Sequence, residues 1–373
     1  MITICYPFAG DSIGGSHIST ITLIKSLQET RPDLTIKVLV FSANSEFREF
    51  LSNENITFDS LNLKLRASSK LGIVIDLARS FFRLSKYLYK EKIDIAHTND
   101  LRINLIFLVV CKFFNIRHLW HQRTSMPKSY LGQRIFLLCD KFVTVSNYIS
   151  GQILVNSVEE KITRVYNPVG SHLSSKEDLD KRIKLFSTKS LIIGYLANTT
   201  SQKNPQIFID IAKIANTQKE NDLEFVMIGK VNDEFIHQIE LEKKNGKLSK
   251  SFKVLGFRKD IDDCLSKIDF LVVPAQGDGF GRTIVESMRA GVIVLALDSG
   301  GHSEIIQNRI DGILIKKLNA QDFMTSLNEI CSDQSLYKSM LLKAHEKSRL
   351  HYTARQHAQE ISLIYKNMMK AKN

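Results

Sequence analysis

Short, uninterrupted apolar runs recur along this chain, each followed by a break and then by a helical period. Residues 2–6 (ITICY), 36–41, 191–196 (LIIGYL), 224–229, 270–273 (FLVV) and 292–297 (VIVLAL) are the clearest. They are too short for helices and lack the in–out alternation of a sheet with one wet face, so they predict strands buried on both sides. Further strands are expected at 117–121 (RHLWH), 142–145, 162–166 and 254–257. Between them, residues 18–29, 71–92, 262–268, 282–290, 321–330, 334–350 and 353–369 carry the apolar spacing of amphipathic helices. Strand alternating with helix predicts an α/β chain built on parallel sheets. Residues 171–189 are polar and charged with no sustained apolar period, which predicts a linker between halves at 1–170 and 190–352. A length of 373 residues suits two ordinary domains.

Composition narrows the picture. With 43% hydrophobic residues both halves can bury a core. Cysteines 5, 111, 139, 264 and 331 show no paired or CxxC spacing, which argues against a disulfide framework or a zinc site. The opening MITICYPFAG lacks the features of a signal peptide, and the most apolar run, 103–114, is broken by Lys112 and too short to span a bilayer. A soluble, cytoplasmic chain is therefore expected.

The net charge of +12 is unevenly spread: residues 1–190 hold 26 Lys and Arg against 17 Asp and Glu, the remainder 25 against 22. An anionic partner is expected on the side of the first half. Part of the excess is a stripe, Arg79, Arg83, Lys86 and Lys90, on the 71–92 helix. Such a stripe is either a solvated face or, with Phe82 and Tyr89 beside it, a docking surface for an anionic membrane. A nucleic-acid binder would suit the charge, but the chain lacks a clustered basic tail, a zinc finger and aromatic RNP motifs.

The chemistry concentrates in 274–304, PAQGDGFGRTIVESMRAGVIVLALDSGGHSE. The 270–273 strand enters a loop with Gly277, Gly279 and Gly281, then a helix expected to end at Gly291; the next strand meets a second glycine turn, Ser299 to His302. Ligands of α/β folds sit at such carboxyl ends of strands. A helix N-terminus suits a phosphate, and the carboxylates Asp278 and Glu286 suit vicinal hydroxyls, so phosphate plus polyol points to a nucleotide-sugar. The plainer alternative makes Asp278 a turn residue and Glu286 part of a solvated helix face. Asp260 and Asp262 have the D-x-D look of a metal site, but they precede a helix as capping acids would.

In register, Pro274, Gly279-Phe280-Gly281, Glu286, Met288, Gly291, Gly300-Gly301 and Glu304 resemble the donor-site signature of the family-4 (group 1) retaining glycosyltransferases of GT-B fold. The chain departs from it at Asp278, where the family has Glu, and at Ile293, where it has Pro. The resemblance implies two Rossmann-like domains facing each other across a cleft, donor on the second and acceptor on the first, with the last helix returning to the first domain through Ile361, Leu363 and Tyr365. It implies transfer of a sugar from a nucleoside diphosphate to an acceptor hydroxyl with retention, without a metal or other cofactor. Lys203 matches the family's phosphate-binding lysine, while its partner arginine falls at Asn198; Arg282 is a candidate replacement. Gly14 and Gly15 match the Gly-Gly that faces the donor phosphate, and Phe257 and Arg258 lie where the base is received. Asp278, Gly279, Phe280, Gly281, Thr283 and Glu286 are the remaining donor contacts so implied. His97 and Asn99 resemble the D-x-x-H-x-N segment, and Arg123 follows at the next strand end. The residue types alone leave His121 open between a packed histidine and a site residue; the resemblance brings it to the transferred sugar, so His121 and Asp278 are the catalytic candidates. The expected acceptor is a glycan or lipid-linked hydroxyl in cell-surface polysaccharide or lipopolysaccharide synthesis, made on the inner face of the membrane. A nucleotide-sugar epimerase is the alternative the same fold accommodates.

Overall fold

A computed structural model describes residues 1–10, 13–41, 45–61, 81–99, 101–126, 133–154, 160–170, 173–218 and 222–370. The chain divides into two compact units, Met1–Pro168 with Ala354–Asn373, and Val169–Thr353.

The first unit is built on a seven-stranded sheet ordered β3-β2-β1-β4-β5-β6-β7, every pairing parallel. Its strands are β1 (Ile2–Phe8), β2 (Leu34–Val40), β3 (Asp59–Ser60), β4 (Ile95–Thr98), β5 (Arg117–Gln122), β6 (Lys141–Thr144) and β7 (Ile162–Arg164). The apolar run of β1 places it at the centre. Its Ile4, Tyr6 and Phe8 pack in one core with Leu23 and Leu27 of helix Gly15–Thr30 and with Ala358, Ile361 and Tyr365 of the last helix, Ala354–Lys370. Leu363, expected in that contact, is 58% exposed. Positions 361 and 365 share a helix face, whereas 363 lies roughly 200° round from 361.

The second unit carries a six-stranded sheet ordered β10-β9-β8-β11-β12-β13, also parallel throughout. The strands are β8 (Leu191–Leu196), β9 (Leu223–Ile228), β10 (Lys253–Gly256), β11 (Phe270–Val273), β12 (Ile293–Leu297) and β13 (Ile313–Ile315). All nine residues of β11 and β12 are buried, as their unbroken apolar runs require. β3 and β13 escaped the sequence reading because two or three residues at a sheet edge leave no pattern.

The stretch 171–189 is not a linker. It contains the helix Lys176–Leu185, closed at its N-terminus by a reciprocal Ser175–Asp178 capping box. Leu179 and Phe186 join the second unit's core, and the Phe186 ring stacks on Tyr337 at 3.7 Å. Arg182 donates to the carbonyls of Leu265, Ser266 and Ile268, satisfying the free C-terminal end of helix Ile261–Lys267. Two buried apolar side chains among so many charges were too few to register as a helical period.

In each unit the chain builds outward from one central strand and then returns to its other side, β1 to β4 and β8 to β11. These are topological switch points, where the loops after the strands part and leave room for a ligand.

Candidate functional site

At the switch point of the second unit, β8 leads through Asn198 to a single turn, Ser201–Lys203, while β11 leads into the glycine loop. The two loops are tied together: the Gln276 N–H donates to the Gln202 carbonyl at 2.8 Å and Asn204 Nδ2 to the Pro274 carbonyl at 2.9 Å. The Lys203 ammonium grips both oxygens of Asp278 at 2.6 Å. The second glycine turn fixes the backbone of Asp278. Gly300 has φ 68°, and a Cβ there would lie 2.3 Å from the Asp278 carbonyl oxygen, to which the Gly301 N–H donates at 2.8 Å. Only glycine permits that approach.

Behind the pair, His302 is fully buried; its Nδ1–H donates to the Leu297 carbonyl at 2.8 Å and its Nε2 lies 3.6 Å from Asp278. Burial by itself raises the Asp278 carboxyl, but the His302 ring and Lys203 ammonium outweigh it and hold the pKa at about 2. Asp278 is a fixed anion at neutral pH.

One turn on, helix Arg282–Arg289 starts from Gly281 at φ 98°. Arg282 Nε donates to Glu286 at 2.6 Å. Glu286 is buried, so the solvated-face alternative fails for it. Thr283 sits half-buried in the first turn, and Phe280 is buried with its ring edge-on to Tyr352 at 5.6 Å. Arg282, the candidate replacement for the missing arginine, is thus engaged by Glu286. Asn198 is exposed, and its Oδ1 accepts the Lys230 backbone N–H at 2.9 Å. The Lys230 ammonium stands 5.6 Å from the centroid of the exposed Phe257 ring. Arg258 forks onto Asp260 instead of standing free. For the same reason the expected helix cap by Asp260 is not made: its side chain accepts no N–H of helix Ile261–Lys267, and Asp262 lies in that helix's first turn.

In the first unit, Gly14 is the extended N-cap of helix Gly15–Thr30 after β1. His97 lies next to the end of β4 and His121 next to the end of β5, both fully buried and 3.1 Å apart, Nε2 to Nδ1. Arg123 joins them. Its Nη2 lies 3.3 Å from His121 Nδ1, its Nε donates to Asn99 at 2.8 Å, and its Nη1 donates to Asn167. Burial, then the Arg123 charge, pushes both histidines well below the usual range.

The basic stripe lies partly beyond the described residues, Arg79 among them. Residues 81–90 are helical, with Arg83, Lys86 and Lys90 exposed. Phe82 and Tyr89 are 79% and 81% exposed. The rings of Phe113 and Phe114 meet Phe81 at 5.4 and 6.0 Å, extending the patch with a 74%-exposed Phe113 that the sequence reading did not include. No helix among the described residues is long and apolar enough to cross a membrane.

Residues 176–347 match the family model of the glycosyl transferases group 1, which spans the Lys203, Asp278 and Glu286 geometry. An uncharacterized glycosyltransferase of Methanocaldococcus jannaschii is 30% identical over 359 residues, covering 91% of this chain and 90% of the relative. The chain is a group 1 glycosyltransferase.

A second relative of this transferase, 24% identical over 71% of the chain and 73% of its own length, is the Escherichia coli UDP-Gal:alpha-D-GlcNAc-diphosphoundecaprenol alpha-1,3-galactosyltransferase. The crystal structure of Anabaena HepE in complex with UDP and glucose superposes with a TM-score of 0.79 at 17% identity, covering 98% of this chain and all of that one. At that identity the likeness shows the fold, and the expected class of two Rossmann-like α/β domains holds. Sequence reasoning passed over several residues that the transferase brings to these strand ends. Lys230 offered no signal, and His302 was visible only as the end of a glycine turn. From sequence Tyr365 reads as a packing residue, although a hydroxyl on the buried face of the last helix requires a partner.

Proposed function

We propose that the transferase moves a hexose from a nucleoside diphosphate-sugar to a lipid-linked glycan hydroxyl, with retention of configuration and without a divalent metal. The arrangement that carries this reading is the Lys203–Asp278 pair at the β8/β11 switch point. The pair keeps each charge satisfied, and a phosphate together with a sugar hydroxyl can replace both halves at once, so that neither charge is left buried and alone. Lys203 then faces the departing diphosphate, where preorganised positive charge lowers the barrier. Asp278 accepts from the sugar hydroxyls. Glu286, already oriented by Arg282, accepts from the ribose, and the exposed Phe257 ring offers a face to the base. Asn198 contributes no charge to this clamp.

A lipid-linked acceptor fits the first unit's exposed surface. Phe82, Tyr89 and Phe113 project beside Arg83, Lys86 and Lys90, an apolar and cationic face complementary to an anionic bilayer. Each cation near such a surface contributes about 1 kcal/mol, enough together for reversible docking. The named diphosphoundecaprenol acceptor of the Escherichia coli relative has the same lipid chemistry.

One experiment tests the whole reading. A panel of nucleotide-sugars is incubated with a sugar-bearing polyprenyl diphosphate in anionic or neutral vesicles, with EDTA present, and nucleoside diphosphate release and protein sedimentation are followed. Acceptor-dependent release with an α-linked product, and salt-sensitive sedimentation on anionic vesicles only, are expected. Release requiring added Mn²⁺ would overturn metal independence, and equal sedimentation on neutral vesicles would remove the docking face.

A further inference from the structure

The first unit holds a chain of buried polar groups longer than the motif residues require. The Tyr6 and Tyr365 hydroxyls are 2.5 Å apart, and the Tyr365 hydroxyl is 2.5 Å from His97 Nδ1. His97 Nε2 is 3.1 Å from His121 Nδ1, which also lies 3.3 Å from Arg123 Nη2. His357 from the last helix stacks on His121 at 5.9 Å, and its own Nδ1–H donates to the Tyr166 carbonyl at 2.6 Å. His121 Nε2 is buried and has no hydrogen-bond partner among the described residues.

The direction of every bond follows from one member. A guanidinium can only donate, so His121 Nδ1 must accept. His121 Nδ1 therefore carries no proton, and His97 approaches it as a donor through Nε2–H. A neutral His97 protonated on Nε2 has a bare Nδ1, which must accept from Tyr365. The Tyr365 oxygen, having given its hydrogen, accepts from Tyr6. Protons thus point in one direction along Tyr6, Tyr365, His97 and His121, and the series leaves His121 with its hydrogen on Nε2. Burial opposes any further proton on either ring, and the neighbouring Arg123 charge opposes it again. A buried N–H without a partner costs about 1–3 kcal/mol, a cost that an oxygen ligand would relieve.

We infer that Tyr365 and Arg123 together lock His121 as a neutral ring protonated on Nε2, so that it serves the transferase as a hydrogen-bond donor to a substrate oxygen and not as a base. This rests on the reading that places His121 at the sugar. It makes Tyr365, on the last helix, a positioning residue acting through His97.

The test is nuclear magnetic resonance of the full chain labelled with ¹⁵N-histidine, with the His121 signals assigned by their loss in His121→Gln. The expected result is a protonated Nε2 and a bare Nδ1 on His121 at pH 7 and unchanged at pH 5.5. Tyr365→Phe removes the donor to His97 Nδ1; it should move the His97 and His121 ring signals and lower kcat about fivefold, the loss of one ordinary hydrogen bond, with little change in donor KM. A proton on His121 Nδ1, an imidazolium at pH 7, or ring signals unmoved by Tyr365→Phe would each overturn the relay. The wild-type spectrum decides the first two even if the variant fails to fold. If the tautomer is as inferred but His121→Ala transfers sugar at the wild-type rate, the placement of this ring at the substrate falls instead.

Discussion

The two switch points handle polar groups in opposite ways. In the second unit, polar groups stand in close ion pairs, Lys203 with Asp278 and Arg282 with Glu286. In the first, His97, His121 and His357 are stripped of charge by burial, and His97 and His121 are joined as neutral partners in one hydrogen-bonded series. On the proposed function, the difference suits the two partners. A diphosphate needs charge that is already in place, whereas a sugar hydroxyl needs oriented dipoles that do not compete for its protons. It also means that the units answer differently to pH and to mutation.

The largest expected effect is a pH response concentrated in the first unit. Folded-state pKa values of its four buried histidines lie below the unfolded value near 6.5, with His118 at about 4 and His357 at about 3. As pH falls through 6.5 the unfolded chain takes up protons that the folded unit refuses. Their contribution is complete above about pH 7.5 and falls by about 1.4 kcal/mol per histidine by pH 5.5, roughly 6 kcal/mol in all. In the second unit, burial lowers His345 as well, but Asp278, at about 2, holds its contribution until far greater acidity. Hydrogen exchange at pH 5.5 should open β4–β6 well before β8, β11 and β12. Simultaneous opening would break the comparison.

Next in size is Lys203→Ala. It removes the phosphate's cation and leaves the Asp278 carboxylate unpaired where a second anion must approach. Charged hydrogen bonds contribute about 1.5–3 kcal/mol each, so affinity for the nucleoside diphosphate released in the donor panel, measured by calorimetry, should fall at least about a hundredfold. Adding Asp278→Asn to that variant should recover part of the loss, since the repulsion goes with the charge. If Lys203→Ala binds that nucleoside diphosphate as the wild type does, the pair has no part in holding it.

The smallest effect sharpens the role of Asn198. Asn198→Arg gives up one hydrogen bond to the Lys230 backbone, about 1 kcal/mol, and restores a cation beside the clamp. A gain of a few-fold in affinity for the same nucleoside diphosphate is expected. A loss would indicate that the Lys230 ammonium, engaged only by the Phe257 ring among the described contacts, already fills that role.

Much of this molecule is local information. Unbroken apolar runs such as FLVV and IVLAL specify buried parallel strands because any other placement exposes them. The glycine spacing of 274–304 marks a tight pair of turns because only glycine tolerates the approach at Gly300. What tertiary structure alone decided depends on partners far apart in sequence. The pairing of Lys203 with Asp278 spans 75 residues and that of Tyr365 with His97 spans 268. The helix in 176–185 forms because Arg182 finds carbonyls more than 80 residues away, a gain that no window of sequence displays. Whether a histidine is a charged base or a neutral donor is likewise set by burial and by the one neighbour that can only donate, and both exist only once the chain has folded.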